Sequence, residues 1–257
     1  FEGLSDLWFS KYDMPVSEFS ESVDRVYEDL KPLYEGLQCH VRGELNEFYG
    51  DEVVPNEGSI PAHVLGNMWA QSWANVYDLV YQEESTGKSI DLTKVINDRG
   101  LTEVEMVEIA EDFFLSLGFE PLEDTFWERS LFVKPVDRNV VCHASAWDIN
   151  PKTQDLRIKM CIEKNAEDFV TIHHELGHIF YYQAYAHQPS VFQSGANDGF
   201  HEAVGDLLSL SITPNYLEKI GFVTKEEADL AKENSIAFLM KQALDGIVPT
   251  PWTLMLD

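Results

Sequence analysis

Basic residues are scarce in this sequence. Its 257 residues include 18 Lys and Arg against 45 Asp and Glu, which gives a formal net charge of −27 at pH 7 with neutral histidines. Such a charge repels phosphate backbones and anionic lipid headgroups within a Debye length. We therefore expect neither nucleic acid nor a membrane surface as a partner. The acidity could attract cationic peptides, but its commoner meaning is a well-solvated surface.

Long apolar runs and targeting signals are also lacking. No window approaches the roughly 18 to 20 apolar residues of a membrane span, and "FEGLSDLWFS" has no basic start followed by an apolar stretch. No Asn-x-Ser/Thr acceptor for glycosylation occurs. The sequence begins without Met and stops within an apolar run, "TPWTLMLD", so we expect a fragment of a longer protein.

Cysteine is rare, and its use is ambiguous. Cys39, Cys142 and Cys161 could make one disulfide and leave one thiol, or could all be reduced. A hydrophobic content of 44% is typical of a folded globular protein with one large core or two modest ones.

Apolar periodicity predicts a mainly helical chain with one small hairpin. Two apolar segments between residues 139 and 161 flank the turn-like "NPKTQD" and predict paired strands. Thr102 and Glu105 form a capping box, and Gly118 follows as a stop signal. We predict helices over 16–49 (with a bend near Pro32), 102–117, 167–187, 199–212 (buried) and 225–243.

The segment "FVTIHHELGHIFYYQAY" carries a metal-binding pattern. On a helix, His174 and His178 differ by about 40° in azimuth and about 6 Å in rise, so both can contact one ion. Neutral imidazole suits Zn²⁺, and Glu175 is close enough to reach a water on the metal. The alternative is a chance pattern on a polar surface helix. The neighbouring residues argue against it because they are apolar: Phe169, Val170, Ile172, Leu176, Ile179 and Phe180.

A catalytic zinc needs a third protein ligand. "HEAVGD" supplies Glu202, 24 residues after His178, on a second apolar helix. Asp206 lies four residues further on the same face, where it could accept the spare N–H of a ligating histidine. His173 and His201 sit beside ligands but point about 100° away, so we interpret them as packing or outer contacts and not as ligands.

Four long runs carry a family resemblance. They are "IPAHVLGNMWAQSWANVYDLV", "VVCHASAWD", "HHELGHI" and "GANDGFHEAVGDLLSLS". In this order they resemble the peptidyl-dipeptidase family of angiotensin-converting enzyme, from about residue 30 to the C-terminus. The resemblance implies a mainly α, zincin-like peptidase of the gluzincin type, with a small antiparallel β-hairpin near the metal. It also implies that residues 1–257 are a single partial catalytic domain, the middle part of a longer one.

By this resemblance the sequence is a zinc metallopeptidase that releases C-terminal dipeptides from oligopeptides with a free C-terminus. One Zn²⁺ would be bound by His174, His178 and Glu202. Glu175 would activate the water and Asp206 would orient a ligand. Chloride is a second ion to consider, although its arginines fall largely outside the sequence.

The resemblance also implies the residues that bind substrate. His143 and the backbone of Ala144 would hold the peptide as an added β-strand, and Gln71 would bind its C-terminal carboxylate. A disulfide between Cys142 and Cys161 would staple this strand, while Cys39 has no evident mate. The open alternatives are an exposed hairpin histidine, an ordinary buried amide and two free thiols.

Two functional alternatives stay open, and so does the role of Asp168. The related enzyme that removes a single residue carries Arg where Gln71 stands; this glutamine and "HAS" favour dipeptide release, but "AYAHQP" and "FLMKQAL" look closer to that carboxypeptidase. The second alternative function is that of an inactive relative that serves as a binding module. Asp168 is either a specificity-pocket residue or a plain helix carboxylate.

The setting follows from the resemblance as well. The disulfide and the likeness to peptide-hormone enzymes suggest an extracellular protein, secreted or a membrane-anchored ectodomain. In the family, further carboxylate and oxyanion donors lie beyond Asp257. Each oxyanion donor is typically worth about 10²- to 10³-fold in rate, so we expect these 257 residues alone to be poorly active.

Overall fold

The computed structural model describes residues 3–66, 70–81, 90–233, 235–251 and 253. The helices are α1 Leu4–Phe9, α2 Val16–Tyr49, α3 Tyr77–Val80, α4 Leu92–Arg99, α5 Glu103–Ser116, α6 Asp124–Arg129, α7 Ala166–Tyr185, α8 Asp198–Ser209, α9 Pro214–Lys219, α10 Lys225–Glu233 and α11 Ser235–Gln242. The strands are β1 Ser145–Asn150 and β2 Asp155–Lys159, paired antiparallel. The predicted mainly α fold with a small hairpin is confirmed. None of the helices in the described part of the chain is long and apolar enough to cross a bilayer.

The chain divides into two compact units, Phe1–Ser89 with Asp229–Asp257, and Ile90–Ala228. In the first unit, α2 continues through Pro32 and buries three residues of its second half, Leu37, Val41 and Leu45. The 3₁₀ turn Ala74–Val76 and the π-helical turn Ala243–Ile247 supply further residues to this core, Val76 and Leu244. Several apolar residues nearer the start of α2, Phe19, Val26 and Leu33, are exposed.

The second unit is built on two long helices, α5 and α7. The Thr102 side chain accepts a hydrogen bond from the Glu105 amide and the Glu105 carboxylate accepts one from the Thr102 amide, so the predicted capping box starts α5. Phe114 of α5 stacks on Phe180 of α7 with ring centroids 4.3 Å apart. This aromatic contact holds the buried face of α7, and with it the metal-binding pattern, in the centre of the unit.

The hairpin lies against α7 through both of its strands. Leu156 and Ile158 of β2 are buried, and Leu131 bridges to Lys159 on the side of β2 away from β1. Cys142, just before β1, forms a disulfide with Cys161, just after β2. Among the described residues, nothing pairs with the outer edge of β1. The outer edge of β1 is therefore available for pairing, and the disulfide fixes the open end of the hairpin.

Helix α8 departs from the prediction of a buried helix. Phe200, Leu207 and Leu210 are each more than half exposed. Apolar composition shows that a helix could be buried, but it does not show which of its faces meets a neighbour. In the described structure α8 packs on α7 through a narrow face centred on Gly205.

Glycines allow α7 and α8 to approach closely. A Cβ on Gly177 of α7 would lie 2.8 Å from the Cα of Gly205, and a Cβ on Gly205 would lie 2.8 Å from Nδ1 of His174. Both distances are too short for real contacts between these atoms. The helix–helix distance therefore depends on the absence of side chains at these two positions.

We expect Gly177→Ala to lower the free energy of unfolding by about 1–3 kcal/mol, because the added methyl meets backbone that cannot move without separating the helices. Urea unfolding measures the change. Gly43→Ala is the matched control: Gly43 lies exposed within α2 with no atom near its missing Cβ. That substitution should stabilise the protein by up to about 1 kcal/mol. Equal stability of the wild type and Gly177→Ala would contradict this account of the crossing.

Candidate metal centre

Helix α7 carries the first half of the centre. The Asn165 side chain accepts a hydrogen bond from the Asp168 amide and so caps the start of the helix. Of the apolar residues beside the pattern, Val170 is exposed and the other five are buried: Phe169, Ile172, Leu176, Ile179 and Phe180. His174 and Glu175 are adjacent on one turn of α7, and His178 lies on the next turn.

Helix α8 carries the second half. Its cap is Asn197, whose side chain accepts from the Gly199 amide. Because α7 and α8 cross at Gly177 and Gly205, the carboxylates of Glu202 and Asp206 lie opposite the imidazoles of α7. These side chains lie close together only because α7 and α8 lie close together.

Three side chains lie at the spacing of metal ligands. Nε2 of His174 is 3.1 Å from Nε2 of His178. The Glu202 carboxylate has one oxygen 3.3 Å from Nε2 of His174 and the other 3.7 Å from Nε2 of His178. Zinc ligands at about 2.0–2.1 Å in a tetrahedron are about 3.3–3.4 Å from one another. The group therefore fits a single zinc ion.

Asp206 determines how His174 presents its ring. Its Oδ1 lies 3.0 Å from Nδ1 of His174. A carboxylate only accepts hydrogen bonds, so Nδ1 carries the hydrogen and Nε2 keeps a lone pair directed at His178 and Glu202. A cation between the three groups would satisfy that lone pair.

The centre is open on one side. The side chains of Glu202 and Asp206 are 69% and 71% exposed, whereas those of His174 and His178 are 21% and 11% exposed. Burial lowers the pKa of His178, and the nearby Glu202 carboxylate opposes that effect. A catalytic metal needs neutral imidazole ligands and one open position for water or substrate. The two partly buried rings beside the open side suit this need.

Glu175 is a buried carboxylate without a described hydrogen-bond partner at Oε2. Burial raises the pKa of its carboxyl group, since the charged form loses solvation there. An unpaired acidic group in such a place is costly to stability. It is typical of a side chain that exchanges a proton during catalysis.

A cleft of about 610 Å³ lies beside the centre. His143 and Ala144 line it next to the disulfide, and the Nδ1–H of His143 donates to the carbonyl of Ala144 at 2.7 Å. The cleft is lined by Cys142, His143, Ala144, Met160, Cys161, Glu163, Glu167, Asp168, Val170, Thr171, His174, Glu175, Asp206 and Ser209.

Other predicted residues lie as follows. Asp168 lines the cleft, and its carboxylate accepts from the amide of Glu163 at 2.6 Å, so it also helps to shape the start of α7. Gln71 belongs to the first unit, and its side-chain oxygen is buried without a described hydrogen-bond partner. Cys39 is free and exposed.

The two histidines that were not assigned as ligands differ in their surroundings. His173 is fully buried, and its ring nitrogens contact the Phe169 carbonyl and the Tyr216 hydroxyl. His201 contacts the ring of His178 and the hydroxyl of Tyr185. Sequence reasoning did not single out Tyr185, although its position two helical turns after His178 places both on one face of α7.

Comparison with known proteins agrees with this centre. A model of the peptidase M2 family, described as angiotensin-converting enzyme, matches residues 1–257. The angiotensin-converting enzyme of Bos taurus is 47% identical over 260 residues, which cover 100% of this chain and 19% of that protein. The enzymes of Haematobia irritans exigua and Theromyzon tessulatum are 43% and 40% identical, and in each case the match covers 100% of this chain and 41% of the relative.

The chain therefore spans between about a fifth and two fifths of the length of these relatives. Its match to the family extends from its first residue to its last. A family match over the whole chain and a His–His–Glu group at metal-binding distances support the same conclusion. The chain belongs to the angiotensin-converting enzyme family of zinc-dependent peptidases.

Proposed function

We propose that the protein is a zinc metallopeptidase that releases dipeptides from the free C-terminus of oligopeptides. The observation that carries this proposal is the group of His174, His178 and Glu202 beside the buried, unpaired carboxylate of Glu175. Membership in a peptidase family supports the reaction class.

Nε2 of His174, Nε2 of His178 and the Glu202 carboxylate would hold the zinc ion. Asp206 keeps the His174 ring in the orientation and tautomer that leave Nε2 free. When bound, zinc supplies a Lewis acid that polarises the scissile carbonyl and lowers the pKa of the attacking water.

Glu175 acts first as a base and then as an acid. Its carboxylate takes a proton from the attacking water, and the same group later gives that proton to the leaving amine. Burial raises its pKa, which makes the carboxylate a stronger base than an exposed glutamate. Its Oε2 has no described protein partner that would have to be displaced.

The substrate lies along the free edge of β1. An extended peptide can add to that edge by backbone hydrogen bonds, with the backbone of Ala144 and the side chain of His143 at the cleft. The disulfide between Cys142 and Cys161 holds this segment in place. A fixed strand reduces the entropy lost on binding.

Gln71 binds the C-terminal carboxylate of the substrate through its amide N–H. Its own oxygen is buried and lacks a described partner, which is unusual for an amide that only fills a core. Glutamine instead of arginine and the "HAS" segment support release of two residues instead of one. A carboxypeptidase that releases a single residue is the alternative.

Residues 1–257 form part of a catalytic domain in an extracellular protein, and the disulfide supports this setting. The oligopeptide is the partner that the cleft and the strand edge suit.

Metal removal tests the central claim. The purified protein should contain one zinc per chain, and a strong chelator should abolish its hydrolysis of internally quenched peptides, because the proposed reaction needs the metal to polarise the scissile carbonyl. Added zinc should restore activity. Hydrolysis that persists in metal-free protein would refute the mechanism. Stoichiometric zinc without any hydrolysis by the full-length protein, which would include the donors expected beyond Asp257, would favour the inactive binding module.

Glu175→Gln should retain zinc while kcat/KM falls by about 10²- to 10⁴-fold, because the amide neither accepts nor returns the proton. Metal analysis and steady-state kinetics on the same sample separate the two effects. Glu108→Gln, an exposed change on α5, is the control and should leave both unchanged. A near-normal kcat/KM in Glu175→Gln would show that another group takes the proton from the attacking water.

Mass spectrometry of cleaved peptides distinguishes the two products. We expect the loss of two residues from a free C-terminus. Gln71→Glu should raise KM for such peptides by about 10-fold or more, because two carboxylates repel each other, and should affect C-terminally amidated peptides much less. Loss of single residues would assign the protein to the carboxypeptidase alternative.

A further inference from the structure

His201 directly precedes Glu202 on α8, but its ring contacts another predicted zinc ligand, His178. Nδ1 of His201 lies 3.3 Å from Nδ1 of His178, and Nε2 of His201 lies 3.0 Å from the hydroxyl of Tyr185. We propose that His201 and Tyr185 are positioning residues that hold His178 in its metal-binding tautomer. This inference rests on the proposed zinc site.

The hydrogens in this chain of contacts follow from the role of His178. To bind a cation through Nε2, the neutral imidazole must carry its hydrogen on Nδ1. The atom facing that hydrogen must then accept, so Nδ1 of His201 has the lone pair. His201 consequently carries its hydrogen on Nε2 and donates it to the oxygen of Tyr185. One assignment satisfies all three groups.

Two helices supply the parts of this arrangement. Tyr185 follows His178 by seven residues, so the two side chains lie within about 20° of each other on one face of α7. The His201 ring enters between them from α8. A shift of α8 by one residue would remove this contact together with the carboxylate of Glu202, since the two residues are adjacent.

The ring of His201 has little freedom to rotate. The rings of Tyr181 and Tyr182 lie with their centroids 4.6 Å and 4.7 Å from it. A Cβ on Gly195 would be only 2.9 Å from Cδ2 of His201, so the bare loop backbone closes over the ring. The Tyr181 hydroxyl in turn accepts from the amide of Ala196 and ties that loop to α7. The direction of the lone pair on Nδ1 of His201 is therefore fixed.

The two ligand imidazoles receive different partners. His174 donates to a carboxylate, and His178 donates to a neutral ring. Such outer partners orient a ligand and raise its basicity, and losing one typically costs about 10- to 100-fold in metal affinity. A neutral acceptor orients His178 without adding another negative charge near Glu202.

The protein contains its own control for this arrangement. His173 also stands directly before a ligand and also contacts a tyrosine hydroxyl, that of Tyr216, at 3.1 Å. Its other nitrogen contacts the Phe169 carbonyl, not a ligand ring. Removing the Tyr216 hydroxyl makes the same chemical change as removing that of Tyr185, without touching the metal centre.

The test compares zinc affinity in matched variants of the purified protein by competition with a chelator. Leucine and asparagine have nearly the same shape, but only asparagine offers an acceptor near the Nδ1 position. His201→Leu should weaken zinc binding by about 10- to 100-fold, and His201→Asn should recover most of that loss. Tyr185→Phe should weaken binding several-fold, and Tyr216→Phe should leave it unchanged.

A spectroscopic readout separates positioning from packing. In the zinc-loaded protein, nitrogen-edited NMR should detect a protected Nδ1–H of His178 in the wild type and in His201→Asn, but not in His201→Leu. Equal affinity losses in His201→Leu and His201→Asn would overturn the inference, because the ring would then only fill space. A wild type without stoichiometric zinc would instead overturn the proposed function, and this inference with it.

Discussion

The close approach of α7 and α8 is the constraint on which the centre depends. The helices meet where Gly177 and Gly205 have no side chains, and Gly205 leaves room for the ring of His174. This contact brings Glu202 to within 3.3 Å of one imidazole and 3.7 Å of the other. Ligand spacing is thus a property of backbone packing, and a single methyl group at the crossing would change it.

The close packing of α7 and α8 brings together lone pairs and a carboxylate that repel one another. Two imidazole nitrogens 3.1 Å apart and an adjacent carboxylate are favourable only around a cation. Asp206 and His201 accept hydrogen bonds on the far sides of the rings, so both lone pairs point inward. These partners hold both rings in the orientation that a metal requires, which reduces the cost of binding.

The same region combines rigidity with access. The buried face of α7 and the disulfide at the open end of the hairpin hold the inner wall of the cleft. Glu202, Asp206 and the outer edge of β1 remain accessible in the described structure. A peptide and a water molecule can therefore approach a centre whose protein groups are held by their neighbours.

Local sequence signals predicted much of the fold, because capping and apolar periodicity act over one or two helical turns. The capping box of Thr102 and Glu105 and the turn after β1 lie where they were predicted. The predicted helix over 225–243 is helical in both of its described parts, α10 and α11, and residue 234 lies outside the described residues. The predicted burial of α8 was wrong, because a helix acquires a buried face only from what packs against it.

The sequence by itself determined which side chains could bind a metal, since the spacing of His174 and His178 puts both on one helical face and "HEAVGD" supplies one further carboxylate for the ion. Only the tertiary structure decided that Glu202 reaches both rings, that Glu175 is buried without a partner and that His201 contacts His178. These contacts join residues on different elements. No local periodicity encodes the distance between two helices, which depends on the side chains that are present or absent where they cross.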